Sequence, residues 1–416
     1  MNQHGQRIVI VGGGATAAAA LDELNRFGFT GSVTVVGAET ERPYNRTTVN
    51  KGLLNGEASA SSVNLAVSPP PRTRWLLGHQ ASGLDLASRT VHVDGHSPLH
   101  FDGLVLACGS VARRLPPTWL PFLHGLNDLG DGASLRAAVD AVPRRVIVLG
   151  AGLIGTETAG VLTSGGHGVT LVDADERPLE ARLGPLVAEW ARERHRSAGV
   201  LTQFGRRVVD VGPADGDSVG VELDDGTVLA ADVVVNALGT LPSTSWLADS
   251  GLEITDGVLT DAELRAGISD ASGHSEAVPG VVAAGDLARW PHRAFGGGLH
   301  RVAHWGNALS QGSHAARTVL RDLGLASPTD GPVQYDELPA FSTYVHGTKL
   351  HVVGLPHLAT RTAFVRGDVD AGRFAVAHTD DRGVVLGGIA VGGAKPIAAL
   401  RSLIDAGEVL EAQVPA

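Results

Sequence analysis

Cysteine occurs once in this 416-residue chain, at Cys108. That excludes a disulfide framework and any C-x-x-C redox pair. Lysine is almost as rare: Lys51, Lys349 and Lys395 are the only ones, and arginine carries the rest of the positive charge. A lysine kept against such a bias suits a position that needs its compact, tunable ammonium group. Aromatic residues make up only 4% of the chain. No apolar run is long enough to span a bilayer, and the N-terminal MNQHGQR lacks an apolar signal core. The sequence therefore reads as a cytoplasmic protein. A surplus of positive charge is missing too: the net charge of −11 argues against nucleic acid as a main partner. At this length, with 43% hydrophobic and 19% charged residues, two or three globular domains are expected.

What is present is one glycine-rich pattern, used twice. Ile8, Val9, Ile10 and Val11 form a β-branched apolar run that predicts a buried strand. It enters Gly12, Gly13 and Gly14 and then an alanine-rich helical stretch to Leu24. This is G-x-G-x-x-G/A with Ala17 in the third place. Gly12 permits the tight turn, Gly14 lets backbone approach a pyrophosphate, and Ala17 keeps helix and strand close. The free N–H groups and dipole at the helix start then hold phosphate. The pattern returns from Val146 to Leu149, followed by Gly150, Ala151, Gly152, Leu153, Ile154 and Gly155. One such motif is weak; two imply two bound dinucleotides.

Each unit continues as a dinucleotide fold requires. The strand from Ser32 to Gly37 leads to Glu39, where a ribose-hydroxyl partner belongs. The strand from Gly168 to Val172 ends at Asp173, about 20 residues past the second glycine run. Asp173 can accept both ribose hydroxyls of NADH and would repel the 2′-phosphate of NADPH. Asp175 and Glu176 add to that repulsion, Arg177 opposes it, and NADH is the expected nucleotide.

Between the two units runs Pro43-Tyr44-Asn45-Arg46-Thr47-Thr48-Val49-Asn50-Lys51-Gly52-Leu53-Leu54. Here the chain resembles the FAD-dependent, NADH-linked ferredoxin reductases that feed cytochromes P450 and aromatic-ring dioxygenases. Their hallmark is P-Y-x-R-P-P-L-S-K-x-x-L. Pro43, Tyr44, Arg46, Lys51 and Leu54 match, whereas Thr47, Thr48, Val49 and Asn50 replace P-P-L-S. Leu104-Val105-Leu106-Ala107-Cys108-Gly109-Ser110 is similar to the family's L-V-L-A-T-G-A, with a structural cysteine for threonine. Leu153-Ile154-Gly155-Thr156-Glu157-Thr158-Ala159 matches G-x-I-G-x-E-x-A. Asp232 to Pro242 resembles the strand and G-x-x-P-N-T that close the nucleotide domain. Pro279 to Asp286, a strand ending in Gly-Asp, resembles the superfamily's second FAD fingerprint. His304-Trp305-Gly306-Asn307-Ala308-Leu309-Ser310-Gln311-Gly312 resembles H-W-x-x-A-x-x-Q-G at the start of a long helix.

The resemblance covers essentially the whole chain. It implies a glutathione-reductase-type α/β fold with two Rossmann-like domains and a small α/β C-terminal domain. The expected boundaries are an FAD domain in two parts (1–114 and 243–325), an NAD domain (115–242) and a reductase domain (326–416). It implies cofactor contacts at Gly12, Gly14, Ala15, Ala17, Glu39, Arg46, Lys51, Ala107, Gly109, Gly239, Asp286, His304 and Trp305. Gly150, Gly152, Leu153, Ile154 and Asp173 belong to the NADH side. Lys51 and Glu157 are the expected catalytic pair, supplying charge where flavin reduction builds it up. Electrons would then pass to a [2Fe–2S] ferredoxin. Arg289, His292, Arg293 and Arg301 read as a basic patch that could steer an acidic partner. No metal site is expected, because the histidines lack ligand spacing.

The sharpest departure lies in the tail. The family carries P-W-F-W-S-D where this chain reads Pro339-Ala340-Phe341-Ser342-Thr343-Tyr344. That difference keeps a direct small-molecule oxidoreductase as a second reading, and a redox-sensing flavin-binding protein as a third. A peroxidase or CoA-disulfide reductase is set aside, since both need a cysteine soon after the first glycine-loop helix. The stretch from Asp322 to Pro332 reads as a linker, and Pro396 to Leu410 as a closing helix.

Overall fold

The structure, a computed structural model, describes residues 5–140, 142–269, 275–325 and 333–410. The chain divides into two compact units. The first comprises Met1–Asn45, Asn64–Val111 and Leu241–Pro339; the second comprises Arg46–Val63, Ala112–Thr240 and Ala340–Ala416.

The first unit is built on a six-stranded sheet. In spatial order its strands are Arg265–Ser269, Ser275–Ala283, Gly103–Leu106, Arg7–Val11, Ser32–Gly37 and Thr73–Leu77. All neighbours are parallel except the first pair. A parallel strand is covered on both faces, which is why Ile8 to Val11 needs no polar alternation. All four are buried. The helix Ala15–Phe27 follows and is ended by Gly28, left-handed at φ 81°. Its small side chains let the long helix Trp305–Asp322 come very close: a Cβ on Gly312 would lie 2.3 Å from the Thr16 carbonyl oxygen. Ala81–Asp85, Thr90–Val93 and Leu99–His100 form a separate antiparallel sheet. The strand before Gly285 is longer than its sequence fingerprint, running Ser275–Ala283.

The second unit holds a five-stranded parallel sheet ordered Leu201–Phe204, Gly168–Asp173, Arg145–Leu149, Val233–Asn236 and Leu123–His124. A three-stranded antiparallel sheet, Val208–Pro213, Val219–Leu223 and Val228–Ala231, packs through Val211, Val221 and Leu223 onto Ile147 and Leu149. A five-stranded antiparallel sheet contains Ala340–Val345, Thr348–Gly354, Val385–Val391, Arg373–Thr379 and Arg361–Asp368. The helix Pro185–Ser197 presses Val187, Trp190 and Ala191 against this sheet's Leu350, Val376 and Ile389. The expected closing helix is shorter than its apolar pattern, Ile397–Ala406, because Gly407 turns left-handed at φ 61° and stops it.

Two stretches depart from simple reading. Arg46–Thr48 is a 3-10 turn and Val49–Leu53 a π-helix, packed against the helices Leu129–Val139 and Leu153–Ser164. The expected linker begins inside a helix: Asp322 is the last residue of Trp305–Asp322, fixed by Arg265 at 2.8 Å and the Gly280 N–H at 2.7 Å. Residues 326–332 of that linker lie outside the described residues.

Candidate nucleotide-binding sites

Both glycine motifs combine one glycine the protein itself needs with one it does not. Gly12 has φ 121°, and a Cβ there would lie 2.0 Å from the Ala107 carbonyl oxygen. Gly150 has φ 98°, with the Ala237 carbonyl oxygen 2.4 Å from a would-be Cβ. Neither place admits a side chain. Gly14 and Gly152 differ: their φ values are −95° and −68°, and a Cβ on either meets nothing within 4 Å. No strain or clash within the protein demands glycine there. Each is the N-cap of a helix, without a side-chain cap, so no cap side chain occupies the first-turn N–H groups. Such a cradle fits a pyrophosphate brought close to the backbone. Ala15 and Ala17 lie in the first turns behind Gly14, with Ala17 fully buried. Leu153 and Ile154 are the first two residues after Gly152, and Ile154 is 48% exposed.

The rest of the first cradle lies within the same unit. Glu39 accepts a hydrogen bond from the Tyr44 hydroxyl at 2.6 Å, a partner that the ribose reading did not include. Asp286 follows Gly285 and accepts from the Ser110 hydroxyl at 2.9 Å. The Gly285 N–H donates at 2.8 Å to the side chain of Gln311, which is fully buried and whose amide nitrogen has no partner among the described residues. His304 is the N-cap residue of the helix that Trp305 begins, and its side chain makes no cap hydrogen bond. Ala107 is buried against Gly12, and Gly109 is left-handed at φ 65°. Cys108 is inert at neutral pH: burial pushes its thiol up to about 12, and it donates to the Val11 carbonyl.

In the second unit Asp173 does more than the fingerprint asks. One carboxylate oxygen accepts the Ala151 N–H at 2.6 Å and the other the Asp175 N–H at 2.8 Å. It therefore ties the glycine loop to the strand end, with lone pairs left over for ribose hydroxyls. Gly239, at φ 91°, accepts from the Arg113 N–H through its carbonyl.

The same unit brings Lys51 and Glu157 together across more than a hundred residues. Lys51 Nζ is 3.1 Å from Glu157 Oε2; the lysine side chain is 28% exposed and the glutamate 6%. Asn50 Nδ2 donates to the same oxygen at 2.9 Å, and the Tyr344 backbone N–H donates to Oε1 at 3.2 Å. A buried carboxylate is tolerable when its charge is met by this many donors. Asn50 and Tyr344 are the functional neighbours that sequence reading missed. The only signal was that Asn50 breaks the family motif beside the lysine. Arg46, by contrast, turns to the Asn127 carbonyl.

The expected basic patch is not free charge. Arg289 is paired with Glu253, Arg301 with Asp256 and Arg293 with Asp336. His292 is buried with its ring against the Glu337 carbonyl. Acids distant in sequence return to neutralise the run, so it offers no net positive face.

Three other histidines are also buried: His195, His314 and His378. Burial drives each down to about 4, with His346 adding to the effect on His195. They are neutral in the fold and would ionise near 6.5 once unfolded. Stability is therefore intact above about 6.5 and lost as pH falls toward 4, at up to roughly 1.4 kcal/mol per pH unit for each histidine. Thermal melts between about pH 7 and pH 5 should show a steadily falling midpoint. A midpoint that holds constant over that range would contradict this.

The chain belongs to the pyridine nucleotide-disulphide oxidoreductase family, whose model matches residues 6–312. The expected α/β class and oxidoreductase assignment hold. Rhodocoxin reductase of Rhodococcus erythropolis is 31% identical over 89% of this chain and 82% of its own. The ferredoxin--NAD(+) reductase component of the p-cumate 2,3-dioxygenase system of Pseudomonas putida is 31% identical over 96% of this chain and 94% of its own. Among solved structures, the covalent putidaredoxin reductase–putidaredoxin complex superposes with a TM-score of 0.84 at 26% identity, covering 98% of this chain and 94% of that one. Among the described residues, no helix is long and apolar enough to cross a membrane.

Proposed function

We propose that this protein is an NADH-dependent ferredoxin reductase. FAD is held by Gly12, Gly14, Ala15, Ala17, Glu39, Ala107, Gly109, Asp286, His304 and Trp305, with Arg46 and Lys51 contributing. NADH is held by Gly150, Gly152, Leu153, Ile154, Asp173 and Gly239. The single observation that carries the reading is the pair of open glycine cradles at Gly14 and Gly152, whose glycines no contact within the protein requires. Residues 1–114 and 243–325 are assigned to FAD, 115–242 to NADH and 326–416 to the reductase domain. The acceptor is a [2Fe–2S] ferredoxin serving a P450 or dioxygenase, a reading supported by relatives named as the ferredoxin reductase components of dioxygenase systems and by the putidaredoxin complex. The lone cysteine supports a cytoplasmic location.

When bound, FAD supplies the means to accept a hydride and to release electrons singly. The residues of this chain bind and orient. Backbone N–H groups at the two helix starts neutralise pyrophosphate. Asp173 receives ribose hydroxyls and disfavours a 2′-phosphate. The Lys51 ammonium and the Glu157 carboxylate offer a fixed charge pair for the reduction step. Half-buried Ala340 and exposed Ser342, standing where the family has tryptophans, favour a second reading, direct reduction of a small molecule.

Stopped-flow mixing of the yellow protein with NADH and NADPH, then with a [2Fe–2S] ferredoxin, tests this. Fast bleaching by NADH and rapid electron transfer to ferredoxin are expected. Bleaching without transfer to any ferredoxin would favour the small-molecule enzyme. No bleaching by either nucleotide would end both readings.

A further inference from the structure

Asn50 stands where the resembled family has serine, directly before the lysine, and the structure gives it a defined task. On an α-helix, adjacent side chains diverge and do not meet one partner. The π-helix Val49–Leu53 changes that geometry, and π-turns of this kind concentrate at functional sites. Asn50 Nδ2 and Lys51 Nζ both reach Glu157 Oε2, at 2.9 and 3.1 Å. Asn50 is itself buried, 6% exposed, so its amide gives Glu157 a donor that water cannot replace. The Tyr344 N–H holds the other oxygen.

We infer that Asn50 is a positioning residue: its amide fixes the Glu157 carboxylate in the ionised, Lys51-paired arrangement used in flavin reduction. This rests on the reading of Lys51 and Glu157 given above. Because Asn50 donates without carrying charge, Glu157 keeps its negative charge for Lys51 alone. Serine is shorter than asparagine, and its hydroxyl can turn to accept as well as donate. The amide donor cannot.

The charged groups on the surrounding elements are few. Lys51 and Glu157 face Asn50 directly. From the helix Leu129–Val139, Arg136 is turned to Leu54 and Asp140, and Asp131 to the Asn127 N–H. From the C-terminal sheet, Lys349 sits over the Tyr344 ring. Arg46 is bound to the Asn127 carbonyl. None of these others makes a hydrogen bond or ion pair with Glu157.

Asn50→Asp is the decisive variant, because it is isosteric and replaces the donor with a second acceptor. Two carboxylates at that distance share one proton, so one titration of the pair moves upward. At low pH the shared proton restores a donor to Glu157; at high pH it is lost and the two charges repel. The variant's penalty is therefore absent below about 4, the unfolded carboxylate value, and grows as pH rises through the raised titration. Two readouts follow it. The gap between the thermal midpoints of Asn50→Asp and wild type should be smallest at about pH 5 and widen by several degrees at about pH 8. The rate of flavin reduction by NADH should fall roughly tenfold or more at high pH and recover toward wild type at low pH.

A midpoint gap and a rate ratio that are both constant from about pH 5 to 8 would overturn the inference, as would a variant indistinguishable from wild type. Should Asn50→Asp not accumulate as folded protein, Asn50→Ala and Asn50→Ser decide. Asn50→Ala should slow flavin reduction several-fold with unchanged NADH affinity, and Asn50→Ser should recover part of that rate. Equal rates for wild type and Asn50→Ala would overturn it. The melting comparison does not depend on the electron acceptor, so its failure is separate from failure of the reductase reading.

Discussion

Gly152→Val leaves the protein folded and yellow but raises the NADH concentration needed for half-maximal flavin reduction by about 10- to 100-fold. The expectation follows from what surrounds that glycine. Its φ of −68° is open to any residue, and a Cβ there meets nothing within 4 Å. The protein alone would accept the side chain. The pyrophosphate would not, because the added methyl groups occupy its closest approach to the first-turn N–H groups, and overpacking of this kind costs about 1–3 kcal/mol. The same substitution at Gly150 is the contrast: there φ is 98° and a Cβ would lie 2.4 Å from a carbonyl oxygen, so folding itself should suffer. Thermal melts and NADH titrations of the two variants separate the effects. If Gly152→Val reduces as readily as wild type at every NADH concentration, the cradle at Gly152 does not hold NADH.

Lys51→Met should slow flavin reduction by about two to three orders of magnitude, the scale of losing a preorganised charge in a reacting site. It should also destabilise the fold, because Glu157, 6% exposed, keeps its charge with only Asn50 and the Tyr344 N–H to meet it. Removing one partner of a buried pair costs about 3–5 kcal/mol, and the 28% exposure of Lys51 places this pair at or below the lower end. Adding Glu157→Gln to Lys51→Met removes the stranded charge. The double variant should regain stability without regaining rate. A double-mutant cycle checks this through melting and stopped-flow reduction together. Recovery of rate alongside stability would show that the pair is structural only.

The two nucleotide-binding units and the family were legible in the sequence, because their signals are local. A β-branched run, glycines at fixed spacing and an acid about 20 residues on are all set by backbone sterics within one strand–turn–helix. Charge was not legible in this way. Arg289, Arg293 and Arg301 make a basic run in sequence, but Glu253, Asp256 and Asp336 come from elsewhere to pair with them.

The Glu157 cluster shows the same limit at the Lys51–Glu157 ion pair. Lys51 and Glu157 could be named from motifs, but Asn50 looked only like a broken motif and the Tyr344 backbone like nothing at all. Their shared carboxylate depends on a π-helix, which has no sequence rule, and on a strand from the C-terminal sheet arriving almost two hundred residues later. The buried histidines are a further case, since burial follows from packing between distant elements. The sequence by itself determined which backbone units form and which cofactor chemistry they suit. Tertiary structure alone decided which charges meet, because ion pairs and buried donors are formed by chain segments whose separation along the sequence carries no information about their distance in space.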